Sequence, residues 1–158
     1  MTRRRSSATC VRWTIIEGVF RRERAHEPAA DRLRFRRGRA WIADIEPEIT
    51  ISDFGWGEFV SALPIRVRAG ATTPELARAL LSEQEANIRH WPKIAITSAD
   101  LANATGLAAR PELGLRLPDA IHVANARRIG QLLVTRDQQQ FSAAQAIGVR
   151  AINSDRPE

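Results

Sequence analysis

The sequence predicts an α/β domain of three layers, a mainly parallel sheet with helices on both faces, and three observations predict it. From residue 48 onward, short β-branched strand patterns alternate with longer helical ones, the signature of strand-helix-strand crossovers. Capping residues and prolines open those helices, and glycines follow two of them. At 158 residues, with no internal repeat, heptad array or Gly/Ser linker, the chain has the length of one domain with a real core.

Each element has its own warrant. Val11 to Ile16 reads as a strand, and Pro28 to Ile42 as a strongly basic helix. Glu48 to Ser52 is a short β-branched strand, after which Asp53 can cap a helix carrying Trp56, Phe59, Val60 and Leu63 at helical spacing. Pro64 is expected to kink or end that helix. Thr73-Pro74-Glu75 opens a helix to about His90, and Lys93 to Thr97 is the next strand. Thr97 and Asp100 have capping-box spacing for a helix to about Ala109, followed by a loop with Pro111 and Gly114. Pro118 suits a helix start, Gly130 ends that helix, and Leu132 to Thr135 is a strand. A short helix near Phe141 to Ile147 stops at Gly148, and Val149 to Asn153 closes the sheet.

Composition narrows the class. Hydrophobic residues make up 44% and charged residues 27% of the chain, the balance of a soluble globular protein. No apolar run approaches a membrane span, so no membrane partner is expected. The apolar stretch behind Arg3, Arg4 and Arg5 is broken by Arg12 and Glu17, unlike an export signal. A cytoplasmic location is expected, in keeping with a single cysteine, Cys10, which allows neither an intrachain disulfide nor a cysteine metal site. Residues 1–40 hold 12 arginines against four acids, while the rest of the chain holds 12 bases against 14 acids. Residues 1–26 thus read as an atypical Arg-rich N-terminus, either a nucleic-acid contact or a solvated basic arm.

The segment from Leu117 to Asp137 carries the chemistry. The helix after Pro118 travels about 17 Å away from Asp119, and the strand to Thr135 returns a similar distance to Asp137. Both acids therefore finish at the edge where strands end, the binding edge of open parallel sheets. Taken singly, each has an ordinary explanation, Asp119 as a favourable charge in a first helical turn and Asp137 as a turn former. Glu58 is the only charged residue from Phe54 to Ile65 and follows a strand to the same edge. A buried unpaired carboxylate there would cost several kcal/mol, so it needs a cleft, a cation or a partner unless it points to solvent.

Three converging carboxylates without companion histidines or cysteines make a hard-oxygen site suited to Mg²⁺ or Mn²⁺. Such a site serves phosphoryl transfer or phosphodiester hydrolysis, with Thr135 placed to hydrogen-bond a carboxylate or the attacking water. Arg116 and Arg136 flank the two aspartates and can hold RNA phosphate or offset the acids. His122, three residues after Asp119 on the same helical face, reads as a packed or hydrogen-bonded structural residue outside the catalytic set.

Glu58 within SDFGWGEFVSAL, Asp119 within LRLPDAIHVA, and Thr135 with Asp137 within LVTRD resemble the corresponding motifs of PIN-domain ribonucleases, specifically VapC-type toxins of type II toxin-antitoxin systems. The resemblance covers about residues 27–155. It implies a five-stranded parallel sheet, Mg²⁺-dependent endoribonuclease activity on RNA, a cognate antitoxin and a homodimer. The family begins with a strand ending in an Asp that binds metal, and no Asp occurs here before Asp31. Glu17, at the end of VRWTIIEG, lies about where that Asp belongs. Its extra methylene displaces the carboxylate in a site whose geometry tolerates little displacement. The alternative is a catalytically impaired PIN scaffold that binds an antitoxin or RNA without cleaving it. A phospho-accepting receiver domain would need a lysine near the last strand, and the only lysine is Lys93.

Overall fold

The computed structural model describes Arg12–Ile15 and residues 48–154. Five parallel strands form one sheet in the order β3-β2-β1-β4-β5, with β1 Arg12–Ile15, β2 Glu48–Ser52, β3 Lys93–Ile94, β4 Leu132–Thr135 and β5 Ala151–Asn153. Trp13 lies opposite both Ile49 and Leu132, and Ile15 lies opposite Val134, so β1 runs beside β2 and β4 toward one shared edge. The helices are α1 Asp53–Arg68, α2 Pro74–Ile88, α3 Ser98–Ala108, α4 Leu117–Ile129 and α5 Gln138–Ala146, with a 3₁₀ turn at Pro111–Leu113. The expected basic helix over residues 28–42 lies outside the described residues, as does Glu17.

The strand order distributes the layers. From β2 to β3 the chain steps outward, whereas from β3 to β4 it steps back across β2 and β1. Because such crossovers are right-handed, opposite steps place α1 and α2 on one face and α3, α4 and α5 on the other. The main core lies on the second face: Leu107, Leu115, Ile121, Val123, Leu133, Ala144 and Val149 are buried in one cluster, with Phe54 packed against it. Every residue from Ala120 to Ala126 is buried, so the middle of α4 is enclosed on all sides. Ala104, Ala120 and Ala126 are fully covered, and their small side chains let α3 and α4 pack closely.

Several boundaries differ from expectation, each for a local reason. Ser52, not Asp53, caps α1, its Oγ accepting from the Gly55 N–H at 3.0 Å. Pro64 sits inside α1, which continues to Arg68, so the helix does not end there although Pro64 has no N–H for a helical bond. β3 stops at Ile94 because its register pairs Ile94 with Ser52, where β2 ends and α1 begins. α2 ends at Ile88, two residues short of His90. α5 starts at Gln138, earlier than its apolar pattern suggests, because Asp137 caps it. β5 starts at Ala151 because the Val149 N–H turns back to the Ala144 carbonyl. Gly130, at φ +66, ends α4 with N–H bonds to the last turn, which turns the chain into β4.

Candidate active site

The edge to which β2 and β4 run collects the acidic residues. β2 delivers α1 and with it Glu58. β4 delivers Thr135 and, two residues on, Asp137. α4 starts at the same edge and carries Asp119 in its first turn.

Asp119 is partly buried, and its Oδ2 accepts from the Arg116 N–H at 3.3 Å. Burial pushes its carboxyl above the usual value, the Asp137 charge adds to this, the Arg116 N–H and, whenever its ring is protonated, His122 oppose it, and Glu58 raises it further. The three carboxylates therefore share one field. Asp137 Oδ1 accepts from the Gln140 N–H at 2.8 Å, capping α5. Thr135 is 1% exposed, and its Oγ1 accepts from the Asp137 N–H at 3.0 Å. The threonine braces the turn on which Asp137 sits. Its carbonyl also accepts from the Ser154 N–H, tying that turn to the end of β5.

Glu58 does not point to solvent. Its Oε2 lies 2.6 Å from Nε2 of His122, whose side chain is 2% exposed against 20% for Glu58. Sequence reasoning set His122 aside as structural, because a histidine three residues after Asp119 does not reveal a contact 64 residues back. Gln140 was missed altogether: it is buried on α5, and its Nε2 donates to the Asp119 carbonyl at 3.2 Å. Arg116 shapes the site through its main chain, its side chain being exposed, and Arg136 is half-buried beside Asp137.

Among the described residues, no group of three His, Cys, Asp or Glu side chains is arranged to hold a metal ion. The expected four-carboxylate set is not assembled among the described residues. Glu58 bonds to His122, Asp119 and Asp137 each accept a helix N-terminal N–H, and the fourth candidate, Glu17, lies outside the described residues. The donor chemistry still suits a hard divalent cation, because an Asp119 carboxyl raised by burial and by neighbouring acids is relieved by a positive ion beside it.

The sequence matches the family model described as PIN domain over residues 15–146. The chain belongs to the PIN-domain family. Solved structures agree on the PIN fold. The chain matches PAE2754 from Pyrobaculum aerophilum at 19% identity and TM-score 0.59, covering 91% of this chain and 85% of that one. It matches FitAB bound to an IR36 DNA fragment at 16% identity and TM-score 0.65, covering 92% and 97%. A toxin-antitoxin complex from Klebsiella pneumoniae matches at 18% identity and TM-score 0.58, covering 89% and 96%. No curated protein sequence matches. Among the described residues, no helix of this PIN domain is long and apolar enough to cross a membrane.

Proposed function

We propose that this PIN domain is a VapC-type endoribonuclease toxin, Mg²⁺- or Mn²⁺-dependent, that cleaves RNA phosphodiester bonds as a cytoplasmic homodimer and is neutralised by a cognate antitoxin. The observation that carries the reading is the placement of Asp119, in the first turn of α4, and Asp137, which caps α5 where β4 ends, at the edge to which α1 brings Glu58. The motif resemblance supports it, and the toxin-antitoxin complex among the structural relatives supports an antitoxin partner.

Asp119 and Asp137 would hold the cation, with Glu58 as third acid and Glu17 as candidate for the fourth. A divalent ion there would supply charge stabilisation at the phosphate and lower the pKa of bound water. The chain's own residues orient that chemistry. The Arg116 and Gln140 N–H groups fix Asp119 and Asp137, each at a helix N-terminus, where the dipole favours the charged carboxylate. Thr135 sets the turn that aims Asp137. Arg116 and Arg136 lie beside the two acids in sequence, where guanidinium groups can take RNA phosphate.

One observation favours the second reading, a PIN scaffold that binds antitoxin or RNA without cleaving it: among the described residues no three acidic, histidine or cysteine side chains are arranged to hold a metal ion. Calorimetry with Mn²⁺ and cleavage of a structured RNA separate the two. The enzyme reading expects cation binding and cleavage that both vanish in Asp119→Asn. Cleavage unchanged by that substitution would sink it, and a native chain that binds neither Mn²⁺ nor cuts RNA favours the scaffold.

A further inference from the structure

Glu58 reaches the acidic edge on a side chain with three rotatable bonds, so something must hold it there. We propose that His122 is a positioning residue for the cation site, its Nε2–H fixing the Glu58 carboxylate on the side of α1 that faces Asp119; this rests on the metal-dependent reading above. The contact is 2.6 Å long and joins two helices across 64 residues of sequence, one side chain 2% and the other 20% exposed. A hydrogen bond to a carboxylate with so little water around it is among the stronger kinds.

The ring is itself held in place. α4 is buried without interruption from Ala120 to Ala126. Phe54, one turn before Glu58 on α1, packs tilted against the imidazole with ring centroids 5.2 Å apart. Nδ1 is buried and has no hydrogen-bond partner, so the polar bonding of the ring is committed to Glu58. With no acceptor for a proton on Nδ1, the bonding pattern assigns the tautomer protonated on Nε2.

This bond occupies Oε2 of Glu58 and leaves Oε1. Asp119 and His122 lie three residues apart on one helix face. One buried helix therefore carries the first acid directly and holds the second through a histidine, so the distance between the two acids is set by a rigid element. Groups that hydrogen-bond a ligating carboxylate orient it and tune its affinity, and their loss weakens metal binding about 10–100-fold.

Two measurements on the full chain test this. Long-range ¹H–¹⁵N NMR of the metal-free protein is expected to show His122 as the Nε2–H form, with an Nε2 resonance that shifts in Glu58→Ala. An Nδ1–H form, or no shift, overturns the proposal. Mn²⁺ calorimetry is expected to show binding weakened about 10–100-fold in His122→Leu and restored to within about threefold in His122→Gln, whose amide can donate from the same place. If folded His122→Gln binds as poorly as His122→Leu, the proposal fails. Equal affinities in native chain and both variants, with binding still lost in Asp119→Asn, overturn the positioning role and leave the metal reading standing. A native chain without Asp119-dependent Mn²⁺ binding overturns both. Should His122→Leu not fold, the NMR comparison and the Gln variant decide.

Discussion

Asp100 and Asp119 occupy the same position, the third residue of a helix, in two helices packed against each other, and each accepts the main-chain N–H of its own cap residue. Burial works against the charge of both carboxyls. At Asp100, the more deeply buried of the two, the Arg128 guanidinium at 2.7 Å and the N–H and hydroxyl of Thr97 outweigh that burial, and the carboxyl lies below its usual value. At Asp119 the strongest charged neighbour is another aspartate, and the carboxyl lies above it. Position on a helix is the same and the partner differs. An acid given a cation is built for stability, and an acid given other acids awaits something positive.

The largest test of this contrast is Asp119→Asn. If Asp119 holds the cation, several kcal/mol of transition-state stabilisation disappear, about a thousandfold in cleavage rate, with thermal stability preserved because a repulsion has been removed. A large loss of melting temperature with cleavage intact would reverse the assignment of roles.

Asp100→Ala should do the opposite. It removes the capping box and strands Arg128, which also donates to the Ala95 carbonyl. Because Arg128 is more than a third exposed, the ion pair is discounted for solvent, and the expected cost is about 2 kcal/mol. Urea unfolding would read this as a lower midpoint with unchanged slope.

The two acids should also give opposite pH slopes in stability. The lowered Asp100 contributes stability that is present above the unfolded aspartate value of about 4 and is lost as pH falls through the lower folded value. The raised Asp119 binds its proton more tightly when folded, so stability is lost as pH rises from about 4 through the higher folded value. The advantage of Asp119→Asn over the native chain should therefore grow above that pH. The deficit of Asp100→Asn should shrink below it. Melting curves across the acid range check both, and parallel slopes would dissolve the contrast.

The smallest effects concern the caps. Thr97 caps with its side chain, so Thr97→Ala should cost about 1 kcal/mol. Arg116 serves Asp119 through its N–H alone, which Arg116→Ala keeps, so its stability should stay within about 0.5 kcal/mol of native.

Legibility followed the range of the interactions. Asp100 with Thr97, Gly130 at its turn and the strand from Leu132 to Thr135 were readable because caps, turns and strand propensity act over a few residues. The start of α5 at Gln138 was not, since three glutamines carry no period and only the cap on Asp137 marks it. The extent of β3 was not either, because a strand ends where its neighbour does. Asp119 and Asp137 could be brought together on paper, since one helix and one strand of similar length separate them.

The sequence by itself determined the alternation of strands and helices, the family motifs, and the delivery of Asp119 and Asp137 to a common edge. Only the tertiary structure decided which partner each carboxylate meets: Arg128 for Asp100, other acids for Asp119, His122 for Glu58. The reason is physical. Backbone period and capping are local and written in neighbouring residues. The free energy of a carboxylate depends on burial and on charges a few ångströms away, and those arrive from sequence positions that only packing selects.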